Sequence, residues 1–198
     1  TLQDIADAMN RALLQHGLPT WTTEEYKYLV GDGVKILSQR AVRERQDLAD
    51  AVRQTYQDWY GSHNQVATRP YAGIPEMLAA LKAQGIRLAV LSNKFDQGVH
   101  DVINLYLPGL FDVMHGECAD IPRKPDPTGL ARTISELGST PERTAYVGDS
   151  GTDVAVSRNA GVFSIGAAWG YHGAEGLQKA GADAVIEDAR ELLKFANR

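Results

Sequence analysis

The sequence predicts an α/β fold, and two observations predict it. From about residue 73 onward, short apolar runs of strand length alternate with amphipathic runs of helix length. Before about residue 66 only helical periodicity is found, so a helical domain over 1–66 precedes an α/β domain over 67–198.

The first helix is predicted over "LQDIADAMNRALLQHG", where Leu2, Ile5, Met9, Ala12 and Leu13 recur at three- and four-residue spacing. Thr1 and Asp4 resemble a capping pair and Gly17 a stop. Helical patterns follow at "TTEEYKYLV", "GVKILSQRAV" and "DLADAVRQTYQDWYG", the last with Leu48, Val52 and Tyr56 on one face. After "GSHNQVATRP" the pattern changes. "IPEMLAALKAQG" is a helix with Pro75 in its first turn, and "IRLAVLSN" is a continuous apolar run suited to a strand buried on both faces. The alternation then repeats: helix "FDQGVHDVINLY", strand "FDVMHGE", helix "DPTGLARTISELG", strand "TAYVG", helix "TDVAVSRNAG", strand "GVFSIGAA", helix "AEGLQKAG" and strand "ADAVIE". Strands separated by single helices build a parallel sheet with helices on both faces, a three-layer Rossmann-like core.

Bulk properties narrow the function. A net charge of −5, with Lys and Arg scattered, provides no basic face for nucleic acid. The single cysteine, Cys118, makes no internal disulfide or thiolate-rich zinc site, and is expected to be a partly buried small side chain in a cytoplasmic setting. No apolar run approaches the ~20 residues of a membrane-spanning helix.

In a parallel sheet, ligands collect beyond the carboxyl ends of the strands. "LAVL" ends in Ser92-Asn93, a pair that alone reads as a helix cap. "IPRKPDPTG" places Lys124 in a loop, where a lone lysine is ordinarily solvated. "TAYVGDSGTD" places Asp149 at a strand end and Asp153 one helical turn on; this is either a cap with a first-turn acid, or two carboxylates aimed at one hard divalent cation such as Mg2+. Together the three sites offer donors, a cation and a metal-binding pair, the set that phosphoryl transfer needs.

At these residues the chain resembles the haloacid dehalogenase-like hydrolase superfamily, in its phosphoglycolate phosphatase-like branch. The resemblance rests on "LAVLSNK", "RKPDP" and "YVGDSGTD", with further echoes in "AWGY" and "GADAVIED". It implies that Ser92 and Asn93 bind the phosphoryl group, that Lys124 neutralises it, and that Asp149 and Asp153 hold Mg2+. It also implies that the helical domain is a cap in which "LVGDGV" (Gly31, Asp32 and Gly33, with Lys35 beyond) faces the substrate. Lys35, Arg40 and Arg43 are candidates to meet a substrate carboxylate. The family's first core strand, bearing an Asp-x-Asp motif with nucleophile and general acid, is missing from this chain, so the resemblance places that motif upstream of Thr1 and implies that the chain alone is inactive. The function implied is a Mg2+-dependent phosphatase of a small phosphate monoester, 2-phosphoglycolate first, acting as a monomer or homodimer. A sugar-phosphate mutase and a non-catalytic phosphate-binding relative are the alternatives.

Overall fold

The computed structural model describes residues 1–196. The chain divides into two compact units, Thr1–Arg69 and Pro70–Arg198.

The first unit is all helical: α1 (Leu2–Gln15), α2 (Thr23–Leu29), α3 (Gly33–Ala41) and α4 (Ala49–His63). The three-and-four spacing of α1 delivers Met9, Ala12 and Leu13 to the interior, where they meet Val52, Tyr56 and Tyr60 of α4 and Tyr26 of α2. Burying side chains of this size stabilises by about 1.5–3 kcal/mol each. Thr22 and Glu25 form a reciprocal capping box at the start of α2. At the start of α1 the expectation of a capping pair is corrected. Thr1 makes no side-chain capping bond, and Asp4 is buried, 3% exposed. Asp4 instead accepts from Ala67 N (2.7 Å), Thr68 N (2.9 Å) and Thr68 Oγ1 (2.5 Å), tying the end of the unit to its beginning. Those three bonds hold its carboxyl below the ordinary range although burial pushes the other way.

The second unit alternates as predicted: α5 (Ile74–Ala83), β1 (Ala89–Phe95), α6 (Asp96–Tyr106), β2 (Val113–Glu117), α7 (Thr128–Glu136), β3 (Ala145–Gly148), α8 (Gly151–Asn159), β4 (Phe163–Ala167), α9 (Gly173–Ala180) and β5 (Ala184–Ile186), closed by a 3-10 helix, Ala189–Phe195. All strand pairs are parallel, but among the described residues they form two groups, β1–β2 and β3–β4–β5. A cavity of about 550 Å3 lies between β1 and β3, lined by Met77, Leu91, Val147 and Trp169 among others. The strand "TAYVG" is therefore less buried than its apolar run suggests. Among the described residues it pairs only with β4, and Val147 is 38% exposed. Cys118 also departs from expectation: it is exposed, in a tight antiparallel turn with Ile121 beyond β2.

Candidate active site

The candidate residues of the α/β unit lie where β1 and β3 end and where the loop after β2 passes them. Ser92 and Asn93 belong to β1 itself, and the residue preceding α6 is Phe95, so neither caps that helix. Ser92 Oγ accepts from Lys94 N at 3.1 Å, a local turn bond. Asn93, 8% exposed, uses both ends of its amide on the backbone of Lys124: Oδ1 accepts from Lys124 N at 2.8 Å and Nδ2 donates to Lys124 O at 3.3 Å. The β1 strand end thus sets the path of the loop that carries the lysine.

Lys124 is not a solvated loop lysine. Its side chain is 12% exposed and its ammonium donates to Asp153 Oδ1 at 2.7 Å and to Tyr146 Oη at 2.9 Å. Burial disfavours the charge, but the Tyr146 hydroxyl and the Asp153 carboxylate outweigh it and raise the lysine above its ordinary value. The ammonium has three protons, and two are directed by these partners.

Asp153 is the hub of the site. Oδ1 accepts from Lys124, while Oδ2 accepts from Asp149 N (3.2 Å), Ser150 N (3.1 Å) and Ser150 Oγ (2.6 Å). Ser150, not Asp149, is the N-cap of α8, and Asp153 is its capping-box partner. Capping and ion pairing are therefore both true of Asp153. Burial raises its pKa, but Lys124 and Ser150 bring the balance below the ordinary carboxylate range. Asp149 behaves oppositely: burial first, then the Asp153 charge, raise its pKa. One polar atom reaches its carboxylate among the described residues, Tyr171 N at 3.2 Å from Oδ2. Asp149 is thus a half-desolvated carboxylate beside a second one, an arrangement that a bound divalent cation would relieve. Among the described residues no group of three or more His, Cys, Asp or Glu could hold a metal. This donor set suits Mg2+, which takes one or two carboxylates and completes its shell with water and substrate oxygens.

Sequence reasoning missed Tyr146. Its hydroxyl donates to Leu91 O at 2.9 Å while accepting from Lys124, and burial pushes its pKa to about 12. The only signal was a hydroxyl in the apolar run before Asp149.

In the helical unit, Asp32 lies between Gly31 and Gly33 at the start of α3 and pairs with Arg40 at 2.6 Å. Arg40 also donates to Leu29 O at 3.1 Å. Arg43 stacks over Trp21, 3.9 Å from the ring centroid, and donates to Thr20 O at 3.3 Å. The idea that all three cations are available for a substrate carboxylate is corrected to this extent: Arg40 and Arg43 are engaged within the unit, and Lys35 is exposed.

A family model described as haloacid dehalogenase-like hydrolase matches residues 1–167. The chain belongs to the haloacid dehalogenase-like hydrolases. Within them it falls in the phosphoglycolate phosphatase-like branch. A phosphoglycolate phosphatase of Aquifex aeolicus is 33% identical over 85% of this chain and 79% of its own length, and one of Agrobacterium fabrum is 33% identical over 97% and 84%. An N-acetylmuramic acid 6-phosphate phosphatase of Pseudomonas aeruginosa is 31% identical over 98% and 86%. Among solved structures, one from Lactobacillus delbrueckii subsp. bulgaricus, provisionally named a phosphoglycolate phosphatase, superposes with a TM-score of 0.94 at 29% identity, covering 99% of this chain and 92% of that one. The family and the relatives make this a phosphatase of the α/β core and helical cap type.

Proposed function

We propose that the protein hydrolyses a small phosphate monoester, 2-phosphoglycolate being the first candidate, in a Mg2+-dependent reaction through an aspartyl-phosphate. The observation that carries this reading is the bonded run Asn93, Lys124, Asp153, Asp149, which holds a buried ammonium beside two carboxylates at the strand ends. Lys124 meets the phosphoryl oxygens with its remaining proton, and Ser92 supplies a hydroxyl. Asn93 acts through the lysine, whose backbone it grips. Asp149, with Asp153 as the supporting charge, holds Mg2+, which when bound neutralises charge on the transferring group. The attacking carboxylate and the general acid are assigned to a strand preceding Thr1. The apolar cavity between β1 and β3 is a suitable seat for that strand, since those two strands do not pair with each other. The carboxylate oxygen bonds to phosphorus as the ester P–O bond breaks, the alcohol takes a proton from the general acid, and water then releases phosphate from the acyl phosphate. In the helical cap, Gly31, Asp32, Gly33 and Lys35 are assigned to substrate selection.

The test is phosphate release by the full gene product from 2-phosphoglycolate, N-acetylmuramic acid 6-phosphate and a hexose phosphate, with Mg2+ and with EDTA. Release that requires Mg2+ and is lost in Asp149→Ala is expected. Activity on no monoester, or an Asp149→Ala rate equal to that of the unaltered protein, refutes the proposal, and an isomerised hexose phosphate identifies a mutase instead.

A further inference from the structure

Asp149 is gripped from above by the turn that follows β4, residues 168–172. Gly170 N bonds Ala167 O (3.1 Å) to close the turn, Tyr171 N donates to Asp149 Oδ2 (3.2 Å), and His172 N donates to Asp149 O (3.3 Å). His172 Nδ1 in turn accepts from Gly151 N at 3.3 Å, linking the turn to the start of α8. Gly170 lies directly against the aspartate. A Cβ built there would overlap Asp149 Cβ and Oδ2 and stand 2.6 Å from Cγ. Gly170 does not have a positive φ, so space alone requires glycine. One of the overlapped atoms is Asp149 Cβ, which is fixed to the backbone and does not swing aside with a change of rotamer.

We infer that this turn is the seat that aims Asp149 at the metal. Gly170 provides the room, and the Tyr171 amide holds Oδ2. Oδ1 has no hydrogen-bond partner among the described residues and is left to face a cation. Gly170 is a positioning residue: it touches neither substrate nor metal and acts through the carboxylate. A residue of this kind ordinarily contributes 10–100-fold to metal affinity by orienting the ligand. The inference rests on the reading of Asp149 as a magnesium ligand, and its test separates the two.

The full gene product is titrated with Mn2+, a paramagnetic stand-in for Mg2+, by electron paramagnetic resonance, and its thermal unfolding is followed in parallel. Gly170→Ala is expected to weaken Mn2+ at least about tenfold and to lower Tm. In an Asp149→Gly background the same alanine is expected to leave Tm nearly unchanged, because the side chain it would overlap is gone. Mn2+ affinity in Gly170→Ala within about twofold of the unaltered protein, or an equal loss of Tm in both backgrounds, overturns the inference. Should Gly170→Ala fail to fold, recovery in the double variant supports the seat, and failure to recover overturns it. Should the unaltered protein bind no Mn2+, the magnesium reading falls, and with it the claim that the turn aims a metal ligand; Tm coupling would then show only that the turn seats the side chain.

Discussion

Asp153 and Lys124 form one ion pair, yet their removal should not be symmetric. Asp153→Ala takes away the acceptor of five donors: the Lys124 ammonium, the Tyr146 hydroxyl, the Asp149 and Ser150 amides, and the Ser150 hydroxyl. The ammonium, on a side chain that is 12% exposed in the intact protein, then keeps the Tyr146 hydroxyl as its partner among the described residues. Stranding a buried charge in this way costs about 3–5 kcal/mol. Lys124→Met removes the cation and fills similar volume, while the Asp153 carboxylate keeps its donors from Tyr146, Asp149 and Ser150, so the loss is that of one charge-assisted hydrogen bond, about 1.5–3 kcal/mol. At about 2–4 °C per kcal/mol for a chain of this size, Asp153→Ala should lower the Tm by on the order of 10 °C, and Lys124→Met by about half as much. Denaturant unfolding followed by circular dichroism, with the double variant to complete a cycle, measures both. If Lys124→Met costs as much as Asp153→Ala, or if Asp153→Ala costs less than about 1 kcal/mol, Asp153 is not the hub described.

Asp4→Asn should destabilise the helical unit by about 2–4 kcal/mol at neutral pH, because an amide cannot accept from both Ala67 N and Thr68 N and leaves a buried donor facing a donor. Since the folded protein holds the Asp4 carboxyl below its ordinary value, this stabilisation is present above about pH 4 and is lost as pH falls through the lowered value. The gap between the two proteins should therefore close in acid, and a gap that is independent of pH contradicts the assignment. Asn93→Ala should leave Mn2+ binding unchanged but cut phosphate release by the full gene product about tenfold or more, since it frees the backbone of Lys124 and touches neither aspartate. Equal loss of metal binding would show that Asn93 supports the whole site rather than the lysine.

The order and type of the elements are legible in the sequence. Helical periodicity in α1 to α4, continuous apolar runs in β1, β3 and β4, and glycine stops are local properties, legible because a helix face or a buried strand imposes a repeat on its own residues. The placing of Lys124, Asp149 and Asp153 after successive strands is legible for the same reason, since parallel strands put their carboxyl ends on one side, whereas Ser92 lies within β1 and not beyond it. What each side chain bonds to was not. Asp4 reads as a capping acid, but its partners lie 63 and 64 residues away. Arg40 reads as a free cation but is matched to Asp32, and Tyr146 reads as an apolar strand residue but bridges Lys124 and Leu91. Nor does any local repeat reveal that a glycine 21 residues beyond Asp149 must lack a side chain to leave room for that aspartate. Periodicity encodes which face is buried. Hydrogen-bond partners and close contacts are decided only when distant segments are packed, because a donor finds whichever acceptor the tertiary fold places within about 3 Å.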